Sequence, residues 1–441
     1  MDSTDSGIFK LASVGSYLDA LSSITHEMSL IERSNLIFLD KCLHQEWGLG
    51  QNVLLNWCPQ EEGIGLLVVP HYAVAAFSAQ VSAARGNGNG GAIDVNRGRR
   101  SEDFFKSLLS GRRRLDPDQM QKVARLLDIE VTYLPLRQPI ADNPSHLRII
   151  EKMIKRYSIT YVPSRGVALF DIVGFSLLSP FEQMTQLNSL SYSLNSAQSK
   201  LSSKKIGIDF ARSTTGDGFY VWNRDLTLDA NINLYHFMHL ALADNAIARS
   251  KAVHNTVPHL RACFHVGGSY EFHQAEGLNP TLYNYIVGDV TVELARIIER
   301  AMPDQVFVGE FIAQMPVADR ETIAYVALDS IDFVARATQS VEQLRGLELS
   351  GERIEMIKCY LTGTRLENDK FTVRRIIIKD KHGISRNVYN AKANIYRRNA
   401  EPILLGIEDR VVVTATAYQN RSEHLLRPLI PAERPSPAEA R

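Results

Sequence analysis

The chain has 441 residues, 45% of them hydrophobic and 22% charged, and its 49 basic side chains are balanced by 49 acidic ones. A net charge of zero gives no gross attraction to nucleic acid or an anionic membrane, and the length allows two or three domains. Four scattered cysteines, Cys42, Cys58, Cys263 and Cys359, form no CxxC pair, which predicts reduced thiols in a cytoplasmic protein rather than a disulfide framework or a zinc site. The start Met1-Asp2-Ser3-Thr4-Asp5 is too acidic for a signal peptide, and the apolar run 63–81 is broken by Pro70 and His71. A buried strand followed by a helix is expected there, not a membrane span.

Residues 1–145 read as a mostly helical accessory region. Apolar residues recur at helical spacing from Leu11 to Trp47, and Gly86-Asn87-Gly88-Asn89-Gly90-Gly91 predicts a flexible loop. The stretch 104–134 has helix–turn–helix grammar. Leu108-Leu109 closes one helix and Ser110-Gly111 turns the chain. Asp116-Pro117-Asp118-Gln119 then supplies an N-cap, a first-turn proline and a capping-box glutamine, with Met120, Val123, Ala124 and Leu127 on one face. This stretch resembles the C-terminal half of the DNA-binding domain of phage-repressor-like regulators, which implies that Arg112-Arg113-Arg114 meets phosphate. The plainer reading, a helical accessory domain with a solvated arginine cluster, is preferred because no first half of the motif precedes it.

A linker at 139–144 leads to a central domain at 160–325. Strands are expected at 166–170, 205–210, 218–222, 259–266, 283–287 and 305–308, and helices at 180–200, 231–253 and 289–301. That order predicts an α+β sandwich of helices on a mostly antiparallel sheet. The first strand ends in Asp171, and Thr214-Thr215-Gly216-Asp217-Gly218 puts a second acid at a hairpin tip. Two carboxylates at the ends of neighbouring strands can hold a pair of divalent cations, as phosphoryl transfer requires. Each motif alone has an ordinary explanation, a helix cap or a hairpin turn. From 341 to 425 a small β domain is expected, with strands at 371–378 and 388–396, a charged turn at Lys379-Asp380-Lys381-His382-Gly383 and a β-rich run at 411–417. The proline-rich tail 427–441 is expected to be disordered.

Together, Phe170-Asp171-Ile172-Val173-Gly174-Phe175-Ser176, Thr215-Gly216-Asp217-Gly218, Arg261-Ala262-Cys263-Phe264-His265-Val266-Gly267 and Gly288-Asp289 through Arg296-Ile297 resemble the class III nucleotidyl cyclases. The resemblance implies a ferredoxin-like βαββαβ core. It also implies that a nucleoside triphosphate directs its 3′-hydroxyl onto its own α-phosphate and expels pyrophosphate. Asp171, Asp217 and the carbonyl of Ile172 would hold two Mg²⁺ or Mn²⁺ ions. The backbone N–H groups of Val173, Gly174, Phe175 and Ser176 would cradle the β- and γ-phosphates at a helix start. Arg296 would stabilise charge at the α-phosphate; its plain alternative is an ion pair with Glu293 or Glu299. His265 and Cys263 read as sheet and core residues. One catalytic domain carrying both acids and the arginine implies a head-to-tail homodimer, with the metal acids from one subunit and Arg296 from the other.

The base-reading positions depart from the family. Adenylate cyclases place a lysine four residues before the second metal acid and an aspartate three before the glycine of the arginine helix. Guanylate cyclases place a glutamate and a small residue there. This chain has Ser213 and Tyr285. The asparagine that orients the ribose falls at Val292, leaving Thr291 or Glu293 to replace it. A bulky tyrosine implies a smaller base. With the single catalytic domain and a third region similar to a C-terminal sensor domain, the chain resembles the bacterial pyrimidine cyclases of Pycsar anti-phage defence. This implies a uridylate cyclase making cUMP for a separate effector protein. The alternatives are an adenylate or guanylate cyclase, or a DNA-binding regulator that keeps a cyclase-like domain as a nucleotide sensor.

Overall fold

The computed structural model describes residues 28–73, 104, 106–140, 143–275, 282–318, 323–364 and 372–412. The expected loop at 86–91, the tail at 427–441 and the helical pattern before residue 28 lie outside them.

The N-terminal region adds a three-stranded sheet to its helices. Helix α1 (Leu30–Trp47) starts at a Ser29–Glu32 capping box and ends at Gly48, whose φ is +55°. Strands β1 (Asn52–Gln60) and β2 (Gly63–Pro70) form an antiparallel hairpin, and β3 (Val131–Pro135) pairs with β2. Helices α2 (Pro117–Leu127) and α3 (Pro144–Arg156) complete the unit. Leu54, Trp57, Ile64 and Leu66 pack with α1 and α3, whereas Val53, Leu55, Cys58 and Leu67 pack with Leu109 and the α2 residues Met120, Val123 and Ala124. A strand covered on both faces carries apolar residues at successive positions, so it lacks the alternation that marks a half-buried strand.

The local helix–turn–helix grammar is present. Residues 106–110 are helical, and Asp116 caps α2 with Gln119 as its reciprocal partner. The arginines between the helices are neither one solvated cluster nor one phosphate-facing set. Trp57 N–H donates to Arg113 O (2.8 Å) and Leu115 N–H donates to Trp57 O (2.9 Å), so the segment is stitched to β1. The Arg113 side chain is fully buried and donates to the carbonyls of Leu108 (2.5 Å), Leu109 (2.8 Å) and Ile159 (2.7 Å). Its own N–H donates to Glu151 (2.7 Å). Burial lowers its pKa to about 10, still charged at neutral pH.

The central region begins with β4 (Thr160–Ile172), α4 (Pro180–Ser203), β5 (Phe210–Thr214), β6 (Gly218–Asn223), α5 (Leu228–Lys251) and β7 (Leu260–Ala275). Spatially these strands run β7-β4-β6-β5, each neighbouring pair antiparallel. This is the expected ferredoxin-like βαββαβ arrangement. The strand expected from Lys205 begins only at Phe210. Lys205 takes φ +57° and Ile206 N–H donates to Leu201 O (3.1 Å), closing the end of α4. Helices α4 and α5 cover one face of the sheet. On the other, Val290, Leu294 and Ile297 of α6 (Asp289–Ile298) pack on Val167, Leu169 and Cys263. Strand β8 (Leu282–Val287) pairs with β7, and β9 (Val306–Gly309) joins β7 in parallel.

The C-terminal strands do not form a sheet of their own. After the β10 (Ile312–Ala318) and β11 (Ile323–Asp329) hairpin and α7 (Ser330–Ser340) come β12 (Glu348–Leu349), β13 (Glu352–Leu361), β14 (Arg375–Lys379), β15 (Ser385–Arg397) and β16 (Ala400–Leu405). Strand β15 pairs with β9 from Val388↔Gly309 to Ala391↔Val306, so among the described residues one eleven-stranded sheet spans both regions. Ile357, Cys359, Ala391 and Ile395 share a core with Phe264 and Val308. The β-rich run expected at 411–417 is helical over 409–412, and its remainder is not described. Among the described residues no helix is long and apolar enough to cross a membrane.

Candidate active site

Strand β4 is buried along its final eight residues and delivers Asp171 to its end. Asp171 pairs across the sheet with Gly218 on one side and Arg261 on the other. Asp217 lies in the β5–β6 turn, and its carbonyl accepts from Ile172 N–H (3.0 Å). The strands approach so closely that a Cβ on Gly218 would sit 1.9 Å from Phe170 O. Only glycine fits, which is the physical reason for Gly218 after the second acid. At the tip, Gly216 takes φ +98°, and Thr215 Oγ1 donates to Asp217 Oδ1 (3.1 Å).

Asp171 is 6% exposed. Burial raises its pKa, the Arg261 guanidinium partly offsets that, and the neighbouring Asp217 carboxylate raises it again. Arg261 Nε donates to Asp171 Oδ2 (2.5 Å) and its Nη1 to Ala301 O (3.1 Å). The sequence reading gave Arg261 no role. The available signal was a cation inside an otherwise apolar strand, which requires a counter-ion.

The site thus has two acidic side chains, the Ile172 position between them, and a cation already drawn to one acid. Oxygen donors suit Mg²⁺ or Mn²⁺, and Mg²⁺ is commonly held by one or two carboxylates with substrate phosphates and water completing its shell. Among the described residues no group of three or more His, Cys, Asp or Glu could hold a metal. Asp171 and Asp217 offer carboxylate oxygens of the kind such a substrate-completed shell uses, and not a closed protein cage.

The phosphate-cradle residues are arranged differently from expectation. Val173 N–H donates to His259 O (2.9 Å) and is already committed. Gly174 takes φ +68°, and Phe175–Leu177 form a short 3₁₀ turn rather than the start of the long helix. Helix α4 starts only after the Ser179 cap, in a capping box with Glu182. Gly174, Phe175 and Ser176 remain as candidates.

Ser213 is half-buried on β5 opposite Tyr220, and Tyr285 lies on β8 opposite Phe272. Strands β5 and β8, which carry these two residues, lie in contact. Tyr285 is 38% exposed, its ring stacked on Phe272 at 5.7 Å, so it does not turn into the core. The suggested ribose partners are both engaged. Thr291 Oγ1 donates to Gly288 O (2.9 Å), and Glu293 accepts a two-pronged contact from Arg386 (2.8 and 3.2 Å). Val292 is exposed.

Arg296 is on α6, on the sheet face opposite α4 and α5. Its Nη1 lies 3.9 Å from Glu299 Oε1, so within the chain it pairs with Glu299 and not with Asp171 or Asp217. His265 is buried edge-on to Phe311 at 5.8 Å, and burial lowers its pKa to about 4. Cys263 is fully buried, and burial raises its thiol well above the usual range.

No protein-family model matches the chain, and no curated protein matches it. Among solved structures it is similar to the guanylate cyclase domain of RhGC from Catenaria anguillulae in complex with GTP, at 11% identity and a TM-score of 0.31, covering 54% of this chain and 100% of that one. It is also similar to the guanylyl cyclase Cya2 (16% identity, TM-score 0.25, 38% of this chain and 91% of that one). A third is the adenylyl cyclase CyaB from P. aeruginosa (13%, 0.24, 39% and 94%). At these identities and scores, the likeness decides neither activity nor substrate.

Proposed function

We propose that the chain is a class III nucleotidyl cyclase that converts UTP to 3′,5′-cyclic UMP and pyrophosphate. The observation that carries the reading is the convergence of Asp171, Asp217 and Arg261 at the end of the ferredoxin-like strands. Two divalent ions bound there would lower the pKa of the substrate 3′-hydroxyl and neutralise phosphate charge. Asp171 and Asp217, with the Ile172 carbonyl, would hold them. Arg261 supplies positive charge beside the acids, where a triphosphate would lie. Gly174, Phe175 and Ser176 line the adjoining turn, and Gly174 permits close approach of the substrate.

Arg296 would stabilise the charge developing at the α-phosphate. Its pairing with Glu299, and not with the acids, favours sites shared between two copies, with acids from one subunit and Arg296 from its partner. Ser213 and Tyr285 would read the base. By the resemblance of its sequence to pyrimidine cyclases, the product would serve as a cytoplasmic messenger to a separate effector protein in anti-phage defence. The burial of Arg113 weighs against a DNA-binding role for the N-terminal region.

The test is incubation of purified protein with each of the four ribonucleoside triphosphates and Mn²⁺, with products separated chromatographically. Cyclic UMP is expected as the main product. Cyclic AMP or cyclic GMP in excess would leave an ordinary purine cyclase. No cyclic product from any triphosphate would remove the enzymatic reading.

A further inference from the structure

The charged turn between β14 and β15 takes no part in the chemistry above, yet it is built with care. Asp380, buried, accepts at Oδ1 from the N–H groups of His382 (2.8 Å) and Ile384 (2.9 Å). Gly383 takes φ +78° and its N–H donates to Asp380 O (3.0 Å). The other carboxylate oxygen accepts from Arg386 Nη1 (2.5 Å). With Nη1 fixed, Arg386 directs Nε and Nη2 as a fork onto both oxygens of Glu293 on α6 (2.8 and 3.2 Å). The Arg386 side chain is 12% exposed and that of Glu293 35%, so solvent screens the fork in part.

A second contact reaches the C-terminal cap of the same helix, at Glu299. Lys381 Nζ lies 3.1 Å from Glu299 Oε1, the oxygen that Arg296 approaches to 3.9 Å. The hairpin is itself anchored to the end of β9, because Glu310 accepts from Arg375 (3.0 Å), Asn387 (2.6 Å) and Tyr389 (3.2 Å). Between the hairpin and α6 is a cavity of about 230 Å³, lined in part by His265, Glu293, Ile297, Glu310 and Arg386. Ion pairs thus surround this space, beside an apolar cluster in which Ile376 and Val388 of the hairpin join Leu294 and Ile297 of the helix.

We propose that Arg386 is a positioning residue. Through Glu293, and with Lys381 on Glu299, the hairpin sets the placement of α6 and therefore where Arg296 is presented. The link to catalysis rests on the reading of Arg296 as the cyclase arginine. The clamp itself does not.

Two measurements on the full chain test this. The first is hydrogen–deuterium exchange of residues 289–298 in wild type, Arg386→Ala and Arg386→Lys. Couplings of this kind are worth about tenfold. Exchange in α6 is expected to rise about that much in Arg386→Ala, and less in Arg386→Lys, with β4 unchanged. Unchanged α6 exchange in Arg386→Ala would overturn the clamp whether or not the protein is a cyclase. The second is initial-rate kinetics, where Arg386→Ala is expected to lower kcat about tenfold with KM for the triphosphate within about twofold. The charge-swapped pair Arg386→Glu with Glu293→Arg should recover part of that loss. Wild-type kcat in Arg386→Ala would overturn the catalytic link. An inactive wild type would sink the cyclase reading, and the exchange measurement would still decide the clamp.

Discussion

Arg261 and Asp171 face each other across the β4–β7 pair, and the guanidinium Nε donates to the carboxylate at 2.5 Å. The acid is buried and the arginine is 25% exposed at its side chain. Removing one partner of a fully buried pair costs about 3–5 kcal/mol; with this exposure, Arg261→Ala is expected to cost about 2 kcal/mol. Because a cation at Asp171 can replace the lost charge, Mn²⁺ should recover more melting temperature in Arg261→Ala than it adds to wild type. Equal shifts in both proteins would mean that the ion does not take the place Arg261 leaves, and no shift in either that Asp171 does not hold metal.

Asp171→Ala and Asp217→Ala are each expected to abolish cyclic nucleotide formation while keeping the fold. More than about a tenth of the activity left in either, a barrier change under ~1.4 kcal/mol, would remove the two-metal assignment. Mixing Asp171→Ala chains with Arg296→Ala chains should restore activity, since a heterodimer has one intact set of acids and one intact arginine. No rescue from demonstrated heterodimers would place the whole site in one subunit.

Arg113 is expected to act as a structural pin. Arg113→Met leaves three carbonyls without their guanidinium donor and removes the charge near Glu151, whose bond from the backbone N–H of residue 113 is kept, and should cost about 2–4 kcal/mol in unfolding free energy. A loss under about 0.5 kcal/mol, the ordinary range for a surface site, would contradict its burial.

Acid should destabilise the fold above the usual carboxylate range. His236, His239, His265 and His273 are held neutral by burial, with pKa lowered from 6.5 to about 4. Between those values the unfolded chain binds protons that the folded chain does not. Stability therefore falls as pH drops from about 6.5 towards 4, by up to about 1.4 kcal/mol per pH unit for each histidine. Asp40, whose carboxyl burial raises, acts in the opposite direction and offsets a part. Thermal melts at pH 7.5, 6 and 5 should show a steady decline; a flat profile would mean that these rings are solvated.

Local signals in the chain were legible where they were self-contained. The Asp116 capping box, the acids at the end of β4 and the β5–β6 tip, and the antiparallel βαββαβ order follow from short patterns. What escaped needed partners distant in sequence. Strand β1 is covered on both faces and so shows no alternation. Strand β15 reaches β9 through pairings such as Tyr389↔Val308, which no local pattern encodes. Arg113 looked like one of three equal surface cations until its carbonyl partners came together. Val173 lost its place in the cradle because His259, far along the chain, accepts its N–H.

Substrate choice is the sharpest prediction. UTP is expected to be turned over well ahead of ATP and GTP, with CTP second. Tyr285 and Ser213 stand on strands in contact, and they replace the lysine–aspartate pair of adenylate cyclases and the glutamate and small residue of guanylate cyclases in the resembled family. Tyr285 stacks on Phe272; on the proposed base-reading role, a larger base would have to displace the ring or leave polar edges unpaired. Each unpaired buried polar group costs roughly 1–3 kcal/mol, and one such loss gives about ten- to a hundredfold discrimination. Initial rates with each triphosphate at equal concentration, in wild type and in Tyr285→Ala, check it. Relief of the stacked ring should raise purine turnover relative to UTP in the variant. Wild-type preference for ATP or GTP would remove the pyrimidine reading. An unaltered base preference in Tyr285→Ala would take the tyrosine out of the explanation and leave Ser213 as the position to vary next.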